Sequence, residues 1–129
     1  MKSIFVSIII VGILISGAII FSRSSSSSSE VVSVNNVSIV NGKQVVEIGV
    51  RGGYTPQISG AKADMPTVLR MKTNGTFDCS SGVVIPSLSL RKILSSSGET
   101  DISVPPQKAG TTLQGLCLMG MYRFQVQFN

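Results

Sequence analysis

Three of the sulfur-containing side chains in this sequence lie close together near its carboxyl end. The chain has 129 residues, with two cysteines and five methionines. Cys117, Met119 and Met121 follow one another at a spacing of two in the stretch GLCLMGMYRF. That spacing places side chains on one side of an extended or gently curled backbone, and Gly120 lets the chain curl without a Cβ penalty. If Cys79 approaches from another strand, four sulfur atoms converge.

The chemistry that such a set favours is the binding of a soft metal ion. Thiolate and thioether groups prefer Cu(I) to hard cations, whereas a zinc site takes four strong nitrogen or sulfur donors. A blue-copper electron-transfer site needs two histidines beside its cysteine, and the sequence has no histidine. The same lack excludes Ser-His-Asp and Cys-His catalysis within the chain. We therefore expect a binding protein and not an enzyme, and the residue types favour Cu(I) as the metal.

The spacing alone leaves other interpretations of the sulfurs open. Cys79 and Cys117 could form a structural disulfide, because two cysteines in an exported domain often pair. Met119 and Met121 could be ordinary core methionines before the last strand. Both cysteines could also be buried and inert.

The elements that must position these sulfurs are predicted to be strands. Apolar and polar residues alternate with a period of two in four segments, which is typical of half-buried strands: residues 45–50, 69–72, 101–104 and 122–128. Turn-forming pairs such as Asn41-Gly42, Gly52-Gly53 and Asn74-Gly75 separate the apolar runs. Short strands at this spacing predict an all-β sandwich or barrel of the Greek-key type.

Other segments have weaker patterns. Met65 and Met71 are predicted at the core or its rim, and residues 87–94 are predicted to form one helical turn or an irregular loop. The formal net charge is +5, but the lysines and arginines are scattered and form no stripe with interleaved aromatic residues. We therefore expect no nucleic-acid partner.

The amino-terminal part differs in composition from the rest. Residues 4–21 carry no charge and are almost wholly apolar, and at about 1.5 Å rise per residue such a helix approaches the ~30 Å hydrocarbon core of a bilayer. We predict a transmembrane signal anchor over residues 1–23, a serine-rich linker over 24–30 and one globular domain over 31–129.

A signal peptide cut after Ser16-Gly17-Ala18 is the alternative to the anchor. Such a cut would leave the apolar residues 19–21 exposed on the mature terminus, which favours the anchor. The α-amino group and Lys2 outnumber Arg23, which predicts an amino terminus in the cytoplasm and a globular domain on the extracytoplasmic face of the cell membrane.

Three stretches together resemble small bacterial cupredoxin-like domains. They are VRGGYTPQISGAKADMPTVLRMK, CSSGVVIPSLSLRKIL and VPPQKAGTTLQGLCLMGMYRFQVQF. In that family a Gly-Gly-Tyr-x-Pro turn, a cysteine loop before Val-x-x-Pro, and a Cys-Gly-Met-Gly-Met loop before the last strand follow in this order. The resemblance spans residues 50–128, and the order and spacing are more specific than any one piece.

The nearest relatives in pattern are the membrane-anchored, cell-surface Cu(I) chaperones of the CupA type and the matching domains of copper-exporting P-type ATPases. This resemblance implies a cupredoxin-like fold and one or two Cu(I) ions bound by Cys79, Cys117, Met119 and Met121. It also implies a role in copper resistance, in which the chain accepts or buffers Cu(I) and has a copper-exporting ATPase as partner.

The sequence departs from the family pattern at three places. Leu118 replaces the glycine that usually follows the loop cysteine, which predicts a stiffer loop and leaves the number of copper ions open. Ile85 stands where phenylalanine is common, and Phe124 where a glycine usually follows the loop. None of these changes removes a ligand.

Two further functions compete with the copper chaperone. A membrane-tethered β-sandwich with a Cys79–Cys117 disulfide would have a structural or interaction role in the cell envelope. The copper subunit of a terminal oxidase also pairs a membrane anchor with a cupredoxin domain, but its dinuclear centre needs histidines and closely spaced cysteines in one loop. The sequence has neither, which excludes that third function.

Overall fold

Strands with alternating burial build the protein, as the sequence pattern predicts. In the strand Arg123–Phe128 every second side chain, from Phe124 through Val126 to Phe128, is buried. The same alternation buries the apolar residues of Thr67–Thr73. The structure is a computed structural model, and it describes residues 35–129. Because alternate side chains of a strand point to opposite faces, these strands must pack in two layers.

The described residues contain ten strands, whose bounds are as follows. They are β1 Val37–Val40, β2 Lys43–Val50, β3 Tyr54–Thr55, β4 Ile58–Ala61, β5 Thr67–Thr73, β6 Gly82–Ile85, β7 Leu90–Ile93, β8 Gly98–Val104, β9 Thr112–Cys117 and β10 Arg123–Phe128. Two short 3₁₀ helices, Cys79–Ser81 and Pro86–Leu88, flank β6.

The strands form two sheets. One has the order β1-β2-β5-β8, with β3 also paired to β2, and the other has the order β4-β10-β9-β6-β7. The pairs β2–β5 and β4–β10 are parallel and the others antiparallel. A parallel pair cannot be joined by a tight turn, and the chain accordingly crosses to the other sheet between the two partners. The predicted all-β sandwich is therefore confirmed.

The core lies between the sheets. It takes its largest side chains from both sheets, among them Ile48, Leu69, Met71, Phe124 and Phe128. Met71, predicted at the core or its rim, is fully buried.

Six of the ten strands (β1, β3, β4, β6, β7 and β9) lie outside the four segments in which the sequence pattern predicts strands, and two of them show why. The segment 87–94, predicted as a helical turn or loop, contains the edge strand β7, whose side chains are mostly exposed and so show no alternation. Strand β9 was missed because Gly115 occupies one of its buried positions and contributes no apolar side chain. In both cases the tertiary pairing, and not local hydrophobicity, fixes the strand.

The amino-terminal predictions lie outside the described residues. These are the anchor over 1–23 and the linker over 24–30, together with the first four residues of the predicted domain. Within residues 35–129 the chain has no helix that is long and apolar enough to cross a membrane.

Charged residues on the outer face of the first sheet pair across its strands. Arg70 lies opposite Asp101, and its Nε and Nη2 atoms donate to the carboxylate at 2.9 and 3.1 Å. Lys72 Nζ lies 3.1 Å from a carboxylate oxygen of Glu47. Each of the two cations thus has a carboxylate on a neighbouring strand.

We expect the Arg70–Asp101 pair to make a small, pH-dependent contribution to stability. The hydrogen bonds from Arg70 hold the pKa of Asp101 below its ordinary value, so the contribution is present above about pH 4 and is lost as pH falls through the lowered pKa. Because the carboxylate is half exposed, it amounts to less than about 1 kcal/mol. Thermal unfolding of Asp101→Asn should show a lower midpoint than the parent at neutral pH, and the difference should shrink as the pH falls below about 4. A difference that persists in acid contradicts this origin.

Candidate metal centre

The two cysteines meet although they lie 38 residues apart in the chain. Cys79 Sγ donates a hydrogen bond to Cys117 Sγ at 2.7 Å, and both are free thiols. Cys117 is the last residue of β9 and is only 2% exposed, whereas Cys79 begins a 3₁₀ helix and is half-buried. Cys79 thus lies against Cys117, which is the condition that the convergence of the sulfurs requires.

The loop after Cys117 is a tight turn that wraps its backbone around the sulfur. The Cys117 carbonyl accepts a hydrogen bond from Gly120 N–H at 2.9 Å, and Cys117 N–H donates to the Tyr122 carbonyl at 2.9 Å. Gly120 has a φ of 71°, in the left-handed region that favours glycine. Tyr122 N–H then points at Cys117 Sγ, 3.4 Å away. The sulfur thus lies inside the turn and accepts a backbone N–H.

The methionines of this loop lie on its outside. The side chain of Met119 is 77% exposed and that of Met121 is 68% exposed. The turn between Cys117 and Gly120 interrupts the extended run, so the two-residue spacing no longer places the three side chains on one face of a strand. The structure brings the two thiols together and presents the two thioethers to solvent within four residues of Cys117.

Asp78 holds the Cys79 loop in place. Its Oδ1 accepts a hydrogen bond from Ser80 N–H at 2.9 Å, and its Oδ2 accepts one from Gly52 N–H at 2.6 Å. The first is an N-cap of the 3₁₀ helix Cys79–Ser81, and the second ties this helix to the turn after β2. The sequence interpretation missed this residue, although an aspartate directly before a short polar turn is the usual N-cap signal.

If the thiol pair binds Cu(I), Asp78→Ala should weaken that binding about tenfold, since supporting residues of this kind typically contribute 10- to 100-fold to metal affinity. The alanine removes both backbone anchors of the Cys79 loop, whereas Asp78→Asn keeps an oxygen acceptor, and asparagine caps as well as aspartate. Titration of each variant with Cu(I) against a competing chelator measures the change. Equal binding by the alanine variant and the parent would show that the loop does not need Asp78.

Tyr54 contacts the segment that carries Cys79. Its hydroxyl lies 3.3 Å from the carbonyl oxygens of Ser80 and Gly82 and donates toward them. Its ring packs edge-on against Phe124 with a centroid distance of 5.0 Å. Burial, and then the negative charge that Cys117 and the neighbouring acidic groups can carry, raise the pKa of Tyr54 above its ordinary range. The tyrosine therefore stays neutral and connects the Cys79 loop to the core.

The local environment drives the pKa values of the two thiols apart. Burial raises the pKa of the Cys117 thiol, but hydrogen bonds from the Cys79 thiol and from backbone N–H groups of the turn lower it, and the net shift is downward. The hydrogen bond that Cys79 donates, followed by burial and the charge of Cys117, raises the pKa of Cys79 to about 11. These hydrogen bonds stabilise the thiolate form of Cys117, which is the form that binds a metal.

The side chains that meet at this place are two sulfur donors, Cys79 and Cys117. Within residues 35–129 no three side chains of His, Cys, Asp or Glu come together in a way that could hold a metal ion. A metal bound at the thiol pair must take any further ligand from another group, and the thioethers of the same loop are the nearest soft donors in the sequence. Such a set suits Cu(I), which accepts soft sulfur ligands, and suits zinc poorly.

No protein-family model and no curated protein sequence matches the chain. Two solved structures share its fold. The metal-binding domain of the Cu(I)-exporting P-type ATPase CopA of Streptococcus pneumoniae D39, solved with Cu(I), has a TM-score of 0.63 at 19% identity, over 72% of this chain and 92% of that one. A copper-binding protein solved in its apo form by NMR has a TM-score of 0.65 at 22% identity, over 72% of this chain and 94% of that one. Residues 35–129 are therefore similar in fold to known copper-binding domains.

Proposed function

We propose that this protein binds Cu(I) through Cys79 and Cys117, assisted by Met119 and Met121, and serves as a copper chaperone or buffer in copper resistance. The observation that carries the proposal is the meeting of two free thiols from distant loops, 2.7 Å apart, beside a turn that bears two exposed methionines. One ion at the thiol pair uses the cysteines, and a second ion would need the methionines.

Several features support copper over other metals. Among the described residues no histidine, cysteine or carboxylate joins the two cysteines to make a group of three ligands. The donors that do meet are sulfurs, and sulfur donors select soft ions. The two solved structures of similar fold are described as copper-binding, and one of them was solved with Cu(I). At 19% and 22% identity that likeness concerns the fold, so the ligand assignment depends on the thiol pair and on the sequence resemblance.

The exposure of the methionines fits transfer of the ion and not permanent storage. Thioether ligands are weak and flexible, and those of Met119 and Met121 face solvent. An incoming ligand from a partner can replace them one at a time while the thiols still hold the metal. The implied partner is a copper-exporting P-type ATPase, and we propose no catalytic activity.

The location outside the cytoplasm is also a proposal. It depends on the apolar segment of residues 4–21, on the serine-rich run that follows and on the excess of positive charge before the segment. The anchor would keep the sandwich close to the membrane in which an exporter releases its copper.

One experiment separates this function from a structural disulfide, which the same thiol contact also favours. Free thiols are counted on protein purified without oxygen, and Cu(I) is then titrated against a competing chelator. We expect two free thiols and tight binding of at least one Cu(I). An intact disulfide without Cu(I) uptake would contradict the copper function and support the structural role in the cell envelope.

A further inference from the structure

Leu118 packs against Gly82, and this contact joins the two loops that carry the thiols. Leu118 directly follows Cys117, and Gly82 directly follows the 3₁₀ helix Cys79–Ser81. A Cβ atom on residue 82 would lie 2.3 Å from Leu118 Cγ and 2.4 Å from its Cδ1. The leucine side chain therefore fills the place of that atom, and the two loops touch at a second point besides the sulfurs.

Gly82 is required by this packing and not by its backbone conformation. Its φ of −113° and ψ of 124° are ordinary extended values that any residue adopts. Its N–H donates to the Cys79 carbonyl, and its own carbonyl accepts from the Tyr54 hydroxyl. These hydrogen bonds fix residue 82 to the Cys79 turn and to the core, so Leu118 packs against a backbone that is held in place.

Leu118 is also placed to control the direction of the Cys117 loop. It is one of the two central residues of the turn that the Gly120 N–H to Cys117 carbonyl bond closes. Leu118 is 38% exposed, whereas both methionines of the loop are mostly exposed. It is therefore the apolar side chain by which this turn is held against β6, the strand that pairs with β9 at Cys117.

We propose that Leu118 is a positioning residue: seated on Gly82, it clamps the Cys117 loop to the Cys79 loop and keeps the two sulfurs together. The effect of this clamp on copper binding rests on the proposed function, because the clamp then preorganises two ligands for one Cu(I) ion. Its effect on the thiols does not depend on copper, because two sulfurs that are held together also form a disulfide more readily. The clamp can therefore be measured without any metal.

The metal-free test is the equilibrium of the full chain with glutathione, in which one oxidised glutathione and two thiols give one disulfide and two reduced glutathione molecules. It measures the effective concentration of one thiol at the other. We expect Leu118→Ala to lower this quantity about tenfold, in the range usual for residues in contact. If the chain binds copper, its Cu(I) affinity should fall by a similar factor.

A double-mutant cycle then tests whether Gly82 acts through the leucine. Gly82→Ala alone should also lower the effective concentration about tenfold, because the new methyl group displaces Leu118. In the Leu118→Ala background Gly82→Ala should leave the effective concentration unchanged, because alanine at position 118 has no Cγ for the new methyl group to contact. Gly60→Ala, where no atom lies within 4 Å of the new Cβ, and Ile58→Ala, at 41% exposure, are the matched controls.

Thermal unfolding of each variant shows whether it folds. If Gly82→Ala does not fold, Leu118→Ala alone decides the question. A folded Leu118→Ala variant with the parent's effective concentration overturns the clamp. So does a fall in effective concentration on Gly82→Ala that is equal with leucine and with alanine at position 118. If the parent takes up no Cu(I) but Leu118→Ala still lowers the effective concentration, the copper function fails and the clamp stands.

Discussion

Replacing Cys117 with serine is expected to lower the affinity for Cu(I) by more than about 100-fold, because even changes in the groups around metal ligands typically cost 10- to 100-fold. Cys117 is buried at the end of β9, its sulfur accepts the Tyr122 N–H, and its thiol pKa is held below the ordinary value by its hydrogen bonds. These hydrogen bonds stabilise its thiolate, which is the form that binds a soft ion. A serine hydroxyl keeps the hydrogen bond but is a hard and weak ligand for Cu(I).

The measurement is competition for Cu(I) with a chelator of known affinity, made on both single variants and the parent. Cys79→Ser should also lose tight binding, whereas Met119→Leu and Met121→Leu should each have a smaller effect, because their thioethers are weak, exposed ligands. The buried Met71, replaced by leucine, is the control for loss of a sulfur elsewhere. If Cys117→Ser binds Cu(I) as the parent does, the thiol pair is not the copper site.

Much of the fold could be predicted from the sequence, because hydrophobic alternation marks strands that have one face in the core. The pattern over residues 45–50, 69–72 and 101–104 found β2, β5 and β8, and that over 122–128 found β10. What could not be predicted is the pairing. The parallel contact of β2 with β5 and the exposed edge strand β7 depend on partners distant in sequence, and nothing in the local pattern specifies them.

The candidate site also has a part that the sequence reveals and a part that it does not. The four sulfur residues were recognisable by type and spacing, and the meeting of Cys79 with Cys117 was expected once the sequence was seen to resemble a family. Of the supporting residues, the sequence does not reveal Asp78, and it marks Leu118 only as a departure from the family pattern that predicts a stiffer loop. Asp78 acts by hydrogen bonds to Gly52 and Ser80, and Leu118 acts by filling the place of an absent side chain. The effect of such residues depends on what lies opposite them in three dimensions.

The largest effect on stability is expected in β9, two residues before Cys117, for Gly115→Ala. Gly115 lies opposite Phe124 in the β9–β10 pair, and a Cβ atom there would lie 2.1 Å from two carbons of the phenyl ring. The ring cannot easily move aside, because it is fully buried and packs edge-on against Tyr54. Overpacking in a core typically costs 1–3 kcal/mol, and more where nothing yields, so we expect a loss of about 3 kcal/mol or more.

In a domain of this size, that loss corresponds to a fall of more than about 10 °C in the thermal unfolding midpoint. Gly60→Ala, on the exposed side of β4 with open space around it, should change the stability by less than about 0.5 kcal/mol. Combining Gly115→Ala with Phe124→Leu should recover part of the loss, because the smaller side chain leaves room for the methyl group. No recovery in the double variant would show that the glycine is needed for its backbone, and not for the phenyl ring that covers it.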